Sequence, residues 1–245
     1  MAKTPQNKFG SALQSGGGDK IKDWTKLLQD KEGTTPILPD KNYSKHLIKP
    51  CKMIIILGKT GAGKSTALLE FLHRKQEFVE IIIFTGSTTD EPLYKNLEEH
   101  IEGIQLIDDP DQLPELKDYD EEDKSVERLM VFDDMINCSK KDKLKMQKWF
   151  NSSRKYGFTC VVLAQNFSDI PIQMRRNTSY FMLFRLNDAN TISTILRTTA
   201  DGIPLQTLKD IYYKVTSKPN TFLTIDLTES NPQMRFRENF IGRIL

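Results

Sequence analysis

Cysteine is scarce in this chain. Cys51, Cys138 and Cys160, three in 245 residues, are widely spaced and odd in number, which excludes a disulfide framework and zinc-finger spacing. Such usage points to a reducing interior. Long apolar runs are also missing. The longest, Met53–Leu57 and Ile81–Phe84, fall far short of the ~18 residues of a membrane-spanning helix, so no membrane partner is expected. Residues 1–18 lack the apolar core of a signal peptide. Neither sign of charge is in excess: 35 Lys+Arg against 33 Asp+Glu leave a net +2. That excludes a uniformly basic nucleic-acid coat and leaves local patches open. His46, His73 and His100 stand apart from cysteines and acids at ligand spacing, and no zinc site is expected.

The chain has two compositions. Residues 1–50 hold nine lysines against five acids, and Gly16-Gly17-Gly18 and Pro36–Pro39 interrupt any period. They read as an irregular arm, with a short amphipathic turn around Trp24, Leu27 and Leu28. Residues 51–245 read as one domain. Apolar strands at 53–57, 78–84, 129–132, 159–164 and 180–186 alternate with helical spacing at 64–74, 91–101, 140–156, 172–177, 189–198 and 205–215. A short strand at 104–107 and a terminal pair at 221–227 and 234–237 complete the pattern. The expected fold is α/β, with a mainly parallel sheet flanked by helices and strands at the C-terminal end. The acidic run Asp120–Asp123 reads as a solvated loop.

One motif carries the chemistry. Gly58-Lys59-Thr60-Gly61-Ala62-Gly63-Lys64-Ser65 matches G-x-x-x-x-G-K-[ST] in full, directly after an apolar strand and before an amphipathic helix. Its glycines let successive backbone N–H groups turn inward as an anion nest, to which the following helix adds its positive dipole end. Lys64 is placed for the β- and γ-phosphates of a nucleotide and Ser65 for Mg²⁺, with Thr66 near the α-phosphate. A second motif, Leu129–Phe132 followed by Asp133 and Asp134, sets two carboxylates at the end of a neighbouring buried strand. Asp133 suits the metal side and Asp134 the attacking water, although an Asp-Asp turn would give the same letters. Val161–Ala164 ends in Gln165, an amide able to touch the γ-phosphate or the water, or else an ordinary strand-end residue.

No Asn-Lys-x-Asp guanine reader follows a strand, which favours ATP. The ABC signature is absent after the loop, and no Arg-rich kinase lid accompanies the acid pair. The order GKTGAGKST, LMVFDDM, RKYGFTCVVLAQN (58–66, 129–135, 154–166) resembles the FtsK–HerA superfamily of DNA-pumping ATPases. Within it, the segments FDDM and RKYG…LAQN look most like the packaging ATPases of Sputnik-type virophages. The resemblance runs from about residue 52 to 186 and implies a RecA-like P-loop ATPase. It also implies a homo-oligomeric ring, hexamer or pentamer, that threads double-stranded DNA into a capsid. A capsid or portal-vertex partner and a place in the host cytoplasm, or on the virion, follow from the same likeness.

The resemblance further implies an arginine donated by the neighbouring subunit. Arg154 is the first candidate and Arg175 and Arg176 the second, against the alternative of solvated surface residues; the latter pair could equally meet DNA phosphate. Residues 140–155 carry seven basic side chains against one acid. Lys140, Lys141, Lys143 and Lys145 would suit sequence-independent contact with DNA phosphates, against the alternative of a solvated face. Trp149 and Phe150 on the same segment read as core anchors. Two rival functions remain: a helicase or DNA-segregation motor of the same superfamily, and a nucleotide-binding switch or scaffold with little turnover.

Overall fold

A computed structural model describes residues 40–86, 92–101, 103–119 and 126–244. The turn expected around Trp24 and the acidic run 120–123 lie outside them. In chain order the elements are α1 (Tyr43–His46), β1 (Met53–Leu57), α2 (Lys64–Lys75), β2 (Phe78–Thr85), α3 (Pro92–His100), β3 (Ile104–Ile107) and β4 (Glu127–Asp133). There follow α4 (Lys140–Ser152), β5 (Phe158–Ala164), α5 (Ile172–Arg176), β6 (Tyr180–Leu183), α6 (Ala189–Thr199) and α7 (Leu205–Val215). The last are β7 (Leu223–Asp226), β8 (Phe236–Glu238) and β9 (Gly242–Arg243).

The strands form one sheet in the order β3-β2-β4-β5-β1-β6-β7-β8-β9. The pairs from β3 through β6 are parallel and those from β6 to β9 antiparallel. All five β1 side chains are buried. Ile54 and Ile56 join the apolar layer of α2 and α3, while Met53, Ile55 and Leu57 join that of α4, α6 and α7. A strand covered on both faces has no polar positions to alternate, which is why it reads as a continuous apolar run. Among the described residues no helix is long and apolar enough to cross a membrane.

Four details depart from the sequence pattern, each for a physical reason. The acid-bearing β4 is not the neighbour of β1; β5 lies between them, in register with both. The helix expected over 140–156 is α-helical only to Ser152, then tightens to a 3-10 turn over Ser153–Tyr156 that Gly157 ends at φ 77°. β6 stops at Leu183 rather than 186, because the buried Tyr212 hydroxyl donates to the Phe184 carbonyl and accepts from the Leu186 N–H. Those two backbone groups are thereby withdrawn from the strand ladder. Residues 40–50, the end of the arm by composition, pack with the domain: Ile48 and His46 are buried, and Asn42 donates to the Lys75 carbonyl.

Candidate functional site

The loop 58–63 leaves the C-terminal end of β1 and enters α2 through Gly63, at φ 101°. Gly61 also sits at positive φ, 73°. Both values favour glycine, which lacks the Cβ that makes this region costly. Space is restrictive at Gly58, where a Cβ would lie 2.7 Å from Cβ of Phe184, the residue just past the end of β6. The first turn of α2 contains no acidic residue and no side chain caps it. Its unpaired N–H groups and positive dipole end are therefore available to an anion.

Lys64 folds over this loop, its Nζ donating to the carbonyls of Gly58 at 2.9 Å and Lys59 at 3.2 Å. Burial draws its pKa below the ordinary lysine value, and the carboxylates of Asp133 and Asp134 act in the opposite direction. Gln165, at the end of β5, accepts a hydrogen bond from the Thr60 hydroxyl at 3.0 Å, tying strand end to loop. Because β5 separates β1 from β4, this amide stands between the loop and the acid pair.

The acid pair owes its arrangement to one backbone angle. Consecutive residues of a strand point to opposite faces. Asp134 breaks that alternation by adopting φ 49°, ψ 64°, a left-handed conformation that aspartate tolerates better than most side chains. Both carboxylates consequently line one cavity of about 240 Å³, together with Thr60, Lys64, Ser65 and Gln165. Oδ1 of Asp134 is buried with no hydrogen-bond partner among the described residues. Asp133 accepts a hydrogen bond from the hydroxyl of Tyr94, a fully buried side chain on α3.

Gly86, just past β2, locks the bend from behind. Its N–H donates to the Asp133 carbonyl at 2.9 Å, and a Cβ there would fall 1.9 Å from the Asp134 carbonyl oxygen. Gly86→Ala must therefore push the acid turn away. The expected outcome is a folded protein whose nucleotide turnover falls at least about tenfold, the scale on which small displacements of reacting groups act. Unchanged turnover with an unchanged circular-dichroism melt would refute that coupling.

Other sequence candidates are less converged. Ala62 and Thr66 belong to the loop and the first turn of α2, half-buried and exposed respectively. Arg154 lies exposed before β5, at the end of the sheet opposite the cavity, and Arg176 is exposed at the end of α5. Arg175 is half-buried, its guanidinium 4.7 Å from the Phe167 ring centroid. Of the four lysines, Lys140 and Lys141 are exposed. Lys143 donates to the Ile136 carbonyl at 3.3 Å and Lys145 to that of Pro110 at 2.6 Å. Trp149 and Phe150 are buried in the core. The residues that composition did not single out are Tyr94, Gly86 and Asp169, a third carboxylate on the cavity wall that accepts from Asn166 at 2.9 Å. Tyr94 looks like any core aromatic, and nothing local marks Gly86. Asp169 follows the Gln165-Asn166 pair closely enough that its place on the same strand-end loop was the available signal.

Residues 40–201 match the family described as Poxvirus A32 protein. The chain belongs to that family. Among curated proteins, this A32-family chain is 24% identical over 193 residues to uncharacterized protein 075L of Invertebrate iridescent virus 6, covering 71% of this chain and 69% of that one. Among solved structures it is similar to the genome packaging NTPase B204 of Sulfolobus turreted icosahedral virus 2 in its sulfate complex. That likeness has a TM-score of 0.52 at 14% identity and covers 81% of this chain and 99% of B204. The AMPPCP complex of B204 gives 0.52 at 11% identity, over 77% and 96%. At such identities the likeness establishes the fold, a P-loop NTPase sheet flanked by helices.

Proposed function

We propose that this chain is an ATP-hydrolysing motor that moves double-stranded DNA into the capsid of a DNA virus, working in the cytoplasm of the host. The observation that carries the reading is the convergence of Lys64, Ser65, Asp133, Asp134 and Gln165 on one cavity above the anion nest. A cradle for phosphates facing two carboxylates and an amide is what hydrolysis of a γ-phosphate needs; a pure binder has no use for the acids. Membership of the A32 family and the fold shared with B204, a genome packaging NTPase, support the viral setting. The narrower virophage placement rests on the FDDM and RKYG…LAQN segments alone.

In this mechanism the backbone of residues 58–65 holds the triphosphate, with Thr66 beside the α-phosphate, and Lys64 neutralises charge on the β- and γ-oxygens. Asp134 takes the proton of the attacking water as its oxygen bonds to the γ-phosphorus, in line with the bond to the β–γ bridging oxygen, which breaks to release ADP. Gln165, held by Thr60, orients that water or the γ-phosphate. Ser65 and Asp133 supply hard oxygen ligands that fit Mg²⁺, which typically takes one or two protein oxygens and completes its shell from phosphates and water. Held there, such an ion would supply positive charge to offset that of the phosphate oxygens. Tyr94 fixes the Asp133 carboxylate for that duty. A ring would let Arg154 or Arg176 of one subunit reach the site of the next; Arg175, stacked on Phe167, is the less available of the three. Of the four lysines named for DNA contact, Lys140 and Lys141 are the exposed ones, and Lys143 and Lys145 are drawn to backbone carbonyls.

The test measures ATP turnover against protein concentration, with and without duplex DNA. Turnover should rise with concentration as rings form and again with DNA, and the DNA effect should fade with salt. Mixing Arg154→Ala with Lys64→Ala subunits should restore turnover if the arginine acts between neighbours. Turnover indifferent to DNA at every concentration would overturn the motor, and displacement of a paired strand would point to a helicase instead.

A further inference from the structure

α4 begins just past the acid turn, at the edge of the sheet that holds the cavity, and runs back to the opposite edge, where β5 starts. Its buried side chains, Met146, Trp149 and Phe150, set the inward face. Lys141, Lys148 and Lys155 recur every seven residues, close to two helical turns, and so share the outward face, with Leu144 between the first two. Leu144 is 56% exposed, so no described residue covers that face. The 3-10 turn after Ser152 does not carry Lys155 out of line, because it borders the same cleft as Lys148. Acids leave this face uncompensated. Asp142 is taken up in capping α4, accepting from the N–H and hydroxyl of Ser139, and Glu115 across the cleft pairs with Lys117 at 2.9 Å. Lys140, Lys141, Lys148 and Lys155 are all exposed, with no hydrogen bond or ion pair among the described residues. In a chain of net charge +2, that gathers positive charge on one helix face.

We infer that this face of α4 is the track that grips duplex DNA, with Lys148 and Lys155 carrying it away from Lys140 and Lys141 toward the far edge of the sheet. From Lys141 to Lys155 the helix covers about 20 Å at 1.5 Å per residue, the axial length of about six base pairs. Charges strung out over that length do not gather on one small anion; they match a straight polyanion. Lysine is a compact point charge with donors only and no planar fork, which suits phosphate and reads no base. A motor that advances along any sequence needs that indifference. The inference rests on the DNA-motor reading above and names the surface that would hold the duplex, including two lysines outside the run 140–145.

The test is the fluorescence anisotropy of a labelled duplex of mixed sequence on the full chain over a range of salt, with binding of a fluorescent ATP analogue measured alongside. The double variant Lys148→Gln/Lys155→Gln is compared with Lys45→Gln/Lys214→Gln, which removes the same charge from exposed positions on α1 and α7. Each phosphate contact contributes about 0.9 to the slope of log affinity against log salt. The α4 variant should therefore lose about 1.8 of that slope and bind the duplex at least about tenfold more weakly at ~0.1 M salt. Its binding of the ATP analogue and its turnover without DNA should match the wild type, and the α1/α7 variant should keep the wild-type slope. Equal losses in both variants, or a loss in neither, would overturn the track and leave the motor standing. Polyglutamate that displaces the duplex as readily as unlabelled duplex does would overturn it too, and point to an acidic protein partner. A wild-type chain that binds the ATP analogue but no duplex would overturn the motor reading together with the track.

Discussion

Asp134→Asn is expected to lower ATP turnover by roughly 10²–10⁴-fold, the usual contribution of a positioned general base, while nucleotide still binds. The substitution is sparing in every other respect. Asparagine tolerates the left-handed conformation that Asp134 adopts at φ 49°, so the bend that brings the acid pair onto one cavity wall survives. Gly86 continues to pack behind it, and the Asp133–Tyr94 contact is untouched. Only the capacity to take a proton is lost. Single-turnover hydrolysis, with binding of a fluorescent nucleotide measured alongside, checks this. Turnover within threefold of wild type would remove Asp134 from the mechanism and leave it the turn residue its sequence equally allows. Asp169, the other carboxylate on that wall, would then be the base to test.

The parts of this fold that the sequence states clearly are those where chemistry and burial leave little choice. β1, the glycine loop and α2 follow one another in the order that a phosphate cradle requires, and strands covered on both faces cannot hide their apolar runs. Asp133, Asp134 and Gln165 could each be placed at a strand end. Their convergence could not, because it depends on β5 lying between β1 and β4 and on a single left-handed residue. Neither strand order nor a positive φ at an aspartate leaves a mark in local composition. The end of β6 departs from the apolar pattern for a related reason. Phe184 and Leu186 have strand-like side chains, and the competing hydroxyl of Tyr212 comes from a helix 26 to 28 residues further on.

The arm boundary shows the same limit in a form that stability measurements can test. Lysine is ordinarily a surface residue, yet Lys75 is 1% exposed at the end of α2. Its ammonium meets Asp40 at 2.6 Å and Glu127 at 2.8 Å. Glu127 also accepts from the Thr159 hydroxyl at 2.6 Å, and His46 Nε2 lies 3.0 Å from Asp40. The cluster joins residues 40–46 to α2 and to the starts of β4 and β5. Lys75→Met keeps the volume of the stem and leaves two buried carboxylates without their cation. Removing one partner of a buried ion pair costs about 3–5 kcal/mol, so the melting temperature should fall by roughly 10 °C. A denaturation midpoint shifted by less than about 1 kcal/mol would show that water or a rearranged side chain replaces the ammonium.

Acid should strain the same cluster through His46. Burial depresses its pKa from 6.5 to about 4, against the attraction of Asp40. The folded chain thus binds fewer protons than the unfolded one between those values, so His46 contributes stability that is fully present above pH 6.5 and lost as pH falls through about 4. His46→Gln should flatten that part of the stability-versus-pH curve without changing the curve above neutrality. A wild-type curve with no slope between pH 6.5 and 4 would contradict a neutral buried imidazole at this position.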